Sequence, residues 1–262
     1  MGDKLKVLDL FSGIGGFAYG LERTRLYETV AFCEWDEKCQ KVLSKHWPNV
    51  YQYGDIGSLT YKDCYLYSKD CGVAGFTGID VITGGFPCQD ISVAGKGEGL
   101  EGKRSGYWKH YKRLIQEVKP KGVIIENVSA LRTRGLEQVL QDLHEVGYDA
   151  EWHCITASHL GATHQRDRIW IIAYRRSIGG KGFKPMECLG KAGQRWESRK
   201  ENLQYIYSNP FGRSGSIPKP LLCGMDVRLP GRMDRIKQVG NSVYWPIVYE
   251  IGLHLHRNLT NG

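Results

Sequence analysis

Cys88 is the residue around which chemistry could be built. It sits in the run Thr83-Gly84-Gly85-Phe86-Pro87-Cys88-Gln89-Asp90-Ile91-Ser92. The preceding Ile79-Asp80-Val81-Ile82 reads as a short buried strand. Two glycines and a proline then present a single thiol at the mouth of a glycine-rich loop. A cysteine that serves as a small apolar residue sits inside an apolar run and is inert. Here Pro87 fixes the backbone ahead of the sulfur, while Gln89, Asp90 and Ser92 keep its surroundings polar. Those surroundings suit a nucleophile. A strand-end cysteine followed by an ordinary turn is the bland alternative.

Two further groups could act on a bound ring or anion. Glu126-Asn127-Val128 closes the apolar stretch Gly122–Glu126. A carboxyl at the end of so apolar a strand should have a raised pKa and could serve as a general acid. The alternative is a cap for the next helix. In His164-Gln165-Arg166-Asp167-Arg168 the alternation of a strand puts Arg166 and Arg168 on one face. There they could orient a carboxylate or phosphate, or simply form a surface ion-pair ladder.

The third constellation is a nucleotide-type turn. Asp9-Leu10-Phe11-Ser12-Gly13-Ile14-Gly15-Gly16-Phe17-Ala18 joins a strand to a helix, and its glycines allow a ligand close to the backbone at the helix N-terminus. Gly13, Gly15 and Ala18 fit a dinucleotide fingerprint, with Glu34 placed to take a ribose hydroxyl. The pattern implies an adenosine-containing cofactor, without choosing between a nicotinamide dinucleotide and S-adenosylmethionine. Trp35 offers a flat ring for a purine. Asp55 could accept from an adenine amino group, with Ile56 against the ring. Asn241 and Ser242, in Gln238-Val239-Gly240-Asn241-Ser242-Val243, could cap the last helix or touch the cofactor.

The elements that must hold these residues alternate. Strands are expected at Lys6–Phe11, Thr29–Glu34, Tyr51–Tyr53, near Gly84, at Gly122–Glu126, Asp149–Thr156 and Ile169–Tyr174. Helices are expected up to about Arg25, from Asp36 (as N-cap) to His46, and over Tyr107–Val118, Gly135–Val146 and Trp245–His256. Such alternation implies a mainly parallel sheet covered on both faces. Every residue singled out falls at the carboxyl end of a strand or just beyond it, where ligands bind in such sheets.

From about Arg175 to Leu222 the periodicity is lost, and a small basic insertion is expected there. Between Tyr174 and Gly240 there are 14 Lys+Arg against 5 Asp+Glu, whereas the remainder holds 22 basic and 23 acidic residues. The net charge of +8 is therefore concentrated in one region, interleaved with Trp196, Tyr205, Tyr207 and Phe211. That is the footprint of a polyanion partner, although a solvated charged face would share it. Eight scattered cysteines without a Cys-x-x-Cys pair argue against zinc and for free thiols in a reducing cytoplasm. No apolar run is long enough to span a membrane and no secretory signal is evident.

In their order, DLFSGIGGF, EWD, GDI, GGFPCQDIS, ENV, HQRDRIW and QVGNSV resemble the DNA (cytosine-5)-methyltransferases, of small prokaryotic or phage type. The resemblance covers roughly residues 5–174 and 226–250. His164 stands where the family usually has glutamine, Trp245-Pro246 replaces a more proline-rich end, and the insertion is short for the family. The resemblance implies an α/β, Rossmann-like S-adenosylmethionine-dependent methyltransferase fold: residues 1–174 plus 226–262 form the catalytic domain, and 175–225 a target-recognition region. It implies a Cys88 adduct to a flipped-out cytosine in double-stranded DNA, with Glu126, Arg166 and Arg168 completing the catalytic group. Phe11, Ser12, Gly13, Gly15, Gly16, Glu34, Trp35, Asp55, Ile56, Asn241 and Ser242 would hold S-adenosylmethionine. Gln89, Ser92, Lys96, Arg104 and Asn127 would hold the substrate. No metal is implied. The enzyme is expected to be a cytoplasmic monomer, bacterial or phage-encoded, with a companion restriction endonuclease as a possible partner.

Overall fold

The chain folds as a three-layer α/β sandwich whose central sheet gathers the strand ends named above. The computed structural model describes residues 3–68, 72–75 (backbone), 78–87, 106–160, 162, 166–178 and 242–260. Ten strands lie among them: β1 (Leu5–Leu10), β2 (Tyr27–Cys33), β3 (Tyr51–Tyr53), β4 (Thr60–Lys62), β5 (Tyr65–Ser68), β6 (Gly72–Gly75), β7 (Val81–Gly84), β8 (Gly122–Val128), β9 (Tyr148–Thr156) and β10 (Asp167–Arg175). The helices are α1 (Gly16–Glu22), α2 (Glu37–His46), α3 (Gly106–Val118), the short α4 (Leu131–Arg134), α5 (Leu136–Glu145) and α6 (Trp245–Thr260).

Seven strands form one sheet in the order β3-β2-β1-β7-β8-β10-β9. The first five are parallel, while β10 runs antiparallel to both β8 and β9. Alternation along the strands explains the two cores. Leu8, Leu10, Ile82, Val123, Ile125, Ile169 and Ile171 face α3 and α5, meeting Trp108, Tyr111, Leu114, Ile115, Val139 and Leu143. Val7, Val81, Ile124, Trp170 and Ile172 face the other way, onto Phe17 and Leu21 of α1 and Ile247, Val248, Ile251 and Leu255 of α6. Strands buried on both faces read as continuous apolar runs, which is how β8 reads.

The expected strands and helices are present with ends displaced by a few residues. Asp36 caps α2 as expected, its Oδ1 accepting from the Lys38 and Cys39 amides at 2.8 and 3.3 Å. Two features go beyond the expectation. β8 continues two residues past Glu126, so Glu126 and Asn127 lie within a strand rather than capping a helix. Between β3 and β7 a separate antiparallel sheet, β4-β5-β6, is tied to α3: Arg113 Nη2 donates to the Ile56 and Leu59 carbonyls at 3.1 and 2.7 Å, and Glu117 accepts from the Tyr61 amide at 2.8 Å. No described helix is long and apolar enough to cross a membrane.

Asp9 is fully buried at the end of β1. Its Oδ1 accepts from the Thr83 hydroxyl at 2.7 Å, while Oδ2 has no hydrogen-bond partner. Burial pushes its pKa from an ordinary 3.8 to about 8. The unfolded chain therefore releases this proton near pH 4 while the folded chain keeps it. Stability should fall as pH rises through the window between those values, by on the order of 1.4 kcal/mol per pH unit. Asp9→Asn keeps an acceptor for Thr83 and removes the titration. Its melting temperature relative to the parent should climb between pH 5 and pH 8 in thermal scans without ligand. A pH-independent difference would contradict the assignment of this carboxyl.

Candidate active site

Five parallel strands deliver their carboxyl ends to one edge of the sheet, and all the described candidate residues except Ser242 collect along it. After β1 the chain turns through Phe11, Ser12 and Gly13. The glycine turn is held from within: the Ser12 hydroxyl donates to the Asp9 carbonyl at 2.7 Å, and the Gly13 amide donates to Glu34 Oε2 at 2.7 Å. Glu34, just past β2, uses its other oxygen to accept from the Asp36 amide at 2.8 Å. One carboxylate thus ties two strand ends together while presenting a half-buried acceptor beside the turn.

The glycines of the turn differ in what they face. Gly13, at φ +55°, has open space where a side chain would be. Gly15, at φ +87°, lies against the ring of Trp47, with a Cβ position only 2.6 Å from it. Gly16 is pressed on Val243. Close approach of a ligand is therefore available at Gly13, whereas Gly15 and Gly16 let α1 settle against the protein itself. Phe11 is also held left-handed, at φ +52°. Its ring meets Tyr107 edge-on at 5.8 Å and stacks on Tyr111 at 6.3 Å.

Trp35 is 77% exposed, with its ring uncovered beside Glu34. Asp55 sits past β3 and its Oδ1 accepts from the Gly57 amide at 2.8 Å, making a local turn. Ile56 is turned into the core beside Leu59 and Leu66, so it supplies packing beneath this end of the site rather than an open apolar surface. Ser242 lies in the approach to α6, and its hydroxyl donates to the Val243 carbonyl at 3.4 Å.

The predicted catalytic side chains lie where β7 and β8 end and β10 begins. Glu126 is 8% exposed. Its Oε1 pairs with Arg168 Nε at 3.0 Å and lies 3.9 Å from Arg166 Nη2. Burial pushes its pKa up, and the two guanidiniums beside it pull the other way without cancelling the rise. The result is a carboxyl able to hold a proton and aimed by two fixed cations. Antiparallel pairing makes this possible: Arg168 stands opposite Val128 and Trp170 opposite Glu126. Arg166, ahead of β10, reaches the same oxygen from a left-handed backbone at φ +31°, a strained conformation for arginine.

Asn127 is buried, and its amide is spent on the protein. Nδ2 donates to the Phe86 carbonyl at 3.1 Å and Oδ1 accepts from the Val128 amide at 2.9 Å. It fixes the segment leading to Cys88. Gly85 in that segment lies against Glu126: a Cβ there would stand 3.0 Å from Oε2 and 3.1 Å from the Glu126 carbonyl oxygen. The sequence marked Gly85 as part of a turn and gave no sign of this contact. Gly85→Ala should displace the carboxylate and lower kcat between about tenfold and a hundredfold, the range a misplaced catalytic group produces. An unchanged kcat would show that the site tolerates the shift.

Cys88, Gln89, Ser92, Lys96, Arg104, His164 and Asn241, together with the 181–240 stretch, lie outside the described residues. Among the predicted catalytic side chains the structure therefore brings together Glu126, Arg166 and Arg168, and it places Phe86-Pro87 immediately before the thiol.

A model of the C-5 cytosine-specific DNA methylases matches residues 5–207. The Type II methyltransferase M.CviJI of Paramecium bursaria Chlorella virus IL3A is 35% identical over 185 residues, which cover 70% of this chain and 46% of that protein. M.HgiBI of Herpetosiphon aurantiacus, also a Type II methyltransferase, is 32% identical over 222 residues, 82% of this chain and 46% of that protein. The chain spans about half the length of these relatives. Among solved structures, the Entamoeba histolytica methyltransferase EhMeth superposes with a TM-score of 0.55 at 20% identity, covering 69% of this chain and 56% of that one. The S. pombe Dnmt2 methyltransferase superposes with a TM-score of 0.54 at 22% identity, covering 69% and 53%. These two likenesses concern the fold.

Proposed function

The chain belongs to the C-5 cytosine-specific DNA methylase family, and from that premise we propose that it transfers a methyl group from S-adenosylmethionine to C5 of a flipped-out cytosine in duplex DNA. The observation that carries this reading is the buried Glu126 carboxyl, held by Arg166 and Arg168 beside the segment that leads to Cys88.

The glycine-turn end of the sheet fits the cofactor. Gly13 leaves open space at its Cβ position, Glu34 offers a carboxylate to a ribose diol, and the bare Trp35 ring can cover a purine. Phe11, Ser12 and Gly13 form the turn, Asp55 lies past β3 on the same edge of the sheet, and Ser242 precedes Val243, on which Gly16 packs. S-adenosylmethionine, when bound, supplies an electrophilic methyl group.

Everything else falls to the protein. C5 of cytosine is a poor nucleophile in the intact ring. The Cys88 thiolate adds to C6, forming a sulfur–carbon bond and pushing the C5–C6 electron pair toward C5. Glu126 donates its proton to N3 and neutralises the charge that would otherwise build there. C5 takes the methyl group, the sulfur–methyl bond breaking with S-adenosylhomocysteine as the leaving group. A base, for which a water suffices, removes the C5 proton, the C5–C6 double bond re-forms, N3 returns its proton and the thiolate departs.

Base extraction costs roughly a few kcal/mol; Gln89 and Ser92 are proposed to fill or steady the space the base leaves, and Lys96 and Arg104 to grip the DNA phosphates. The basic 175–225 region is proposed to read the target sequence. A monomer suffices for this chemistry, and the Type II names of the relatives extend the proposal to a companion restriction endonuclease.

Parallel incubations with tritiated S-adenosylmethionine and either mixed-sequence duplex DNA or tRNA test the proposal. Label recovered as 5-methylcytosine is the expected result. Label on tRNA with none on DNA would overturn the substrate, and label on neither would overturn the activity.

A further inference from the structure

We infer that Trp108, held by Asp142, is a positioning residue for the Glu126 carboxyl, acting through Phe86 and Gly85. The inference rests on the proposed function only for its kinetic arm.

Trp108 lies in the first turn of α3 and is buried. Its ring packs on Phe86 at 5.3 Å and on Tyr111 at 5.7 Å. The indole Nε1–H donates to Asp142 Oδ2, across 34 residues, at 2.7 Å. Asp142 is itself buried on α5 and receives two more donors at Oδ1, Lys112 Nζ and Gln138 Nε2. An indole can rock about its side-chain torsions. A bond from its polar edge to a buried carboxylate on another helix removes that freedom.

What the fixed ring supports is the chain above Glu126. Phe86 has its ring against Trp108 and its carbonyl on Asn127 Nδ2, so both sides of this residue are determined. Gly85, one residue earlier, lies directly on the Glu126 carboxylate. Loosening Phe86 therefore lifts the segment that excludes water from Glu126, and that exclusion is the main cause of its raised pKa. The aromatic contacts continue from Tyr111 to Phe11 in the glycine turn, so α3 gives the two halves of the site a common support.

The test compares Trp108→Phe, which keeps an aromatic ring and loses the N–H, with Asp142→Ala, Asp142→Asn, the double variant and Lys112→Met. Titration of Glu126 followed by carbon-13 NMR, assigned against Glu126→Gln, reports on position without turnover. Trp108→Phe and Asp142→Ala should each move the Glu126 titration down toward the ordinary carboxylate range. Each should lower kcat about tenfold, as a small displacement of a catalytic group does, with KM for S-adenosylmethionine unchanged. On both Glu126 readouts the double variant should match either single one, because each single substitution breaks the same Trp108–Asp142 bond. Asp142→Asn keeps an acceptor and should restore kcat to within about twofold of the parent. Lys112→Met should leave both readouts in place.

An unmoved Glu126 titration in folded variants, or a Lys112→Met that reproduces the effect, would overturn the inference. A parent without methyl transfer whose Glu126 titration still responds to Trp108→Phe would sink the proposed function and leave the positioning intact.

Discussion

Glu126→Gln should lower kcat by about a hundredfold or more while leaving DNA binding near that of the parent. The size follows from what is removed. General acid catalysis contributes roughly 10²- to 10⁴-fold, and glutamine preserves shape and one hydrogen bond without a transferable proton. Binding should survive because the carboxyl is buried and faces the two arginines rather than the bulk of a duplex. The pH profile carries a sharper signature. A proton donor is competent below its pKa in the folded enzyme, so activity limited by Glu126 declines as pH rises through that value. Burial sets the value above the ordinary carboxylate range, which moves this decline toward neutral pH. In the variant the alkaline decline due to Glu126 should be absent, and the residual rate should continue to rise with the thiolate fraction of Cys88. Single-turnover kinetics across pH 5 to 9 checks both claims. A variant with parental kcat would remove Glu126 from the chemistry.

Much of this site is legible in the sequence for a physical reason. Residues at the carboxyl ends of parallel strands are close in space however far apart they lie in the chain, so recognising each strand also placed Phe11, Glu34, Asp55, Gly85 and Glu126 together. Strand alternation put Arg166 and Arg168 on one face; that their common partner is Glu126, which Arg166 reaches from a strained turn ahead of β10, is visible only in the structure. What escaped was contact between side chains distant in sequence. The bond from Trp108 to Asp142 joins two helices, and nothing local distinguishes Trp108 from an ordinary core tryptophan. The glycine turn misled in a similar way. Open space and close protein contact both favour glycine, and the structure gives the first to Gly13 and the second to Gly15 and Gly16. The β4-β5-β6 sheet was missed because its short strands pair only with one another, outside the strand–helix alternation that marked the main sheet.

Cys88→Ser should be the most damaging substitution, with methyl transfer reduced on the order of 10⁴-fold or more, the scale on which loss of a covalent nucleophile is felt. A serine hydroxyl is scarcely ionised near neutral pH and cannot replace the thiolate as the group that enters C6 and later leaves. Activity alone would not separate this from a disturbed fold. The residues ahead of position 88 argue against disturbance: Phe86 is fixed by Trp108 and Asn127, and Pro87 is exposed. Serine is also nearly isosteric with cysteine. Duplex DNA carrying 5-fluorocytosine at the target provides the decisive measurement. After methyl transfer its C5 bears fluorine where a removable proton would be, so the sulfur–C6 bond cannot be released by elimination. The parent should form a complex that survives denaturing electrophoresis, Glu126→Gln should form it more slowly, and Cys88→Ser should form none. A complex trapped by Cys88→Ser would place the nucleophile on another residue. Fast trapping by the parent, slow trapping by Glu126→Gln and none by Cys88→Ser would establish that addition at C6 and protonation at N3 are coupled steps of one reaction.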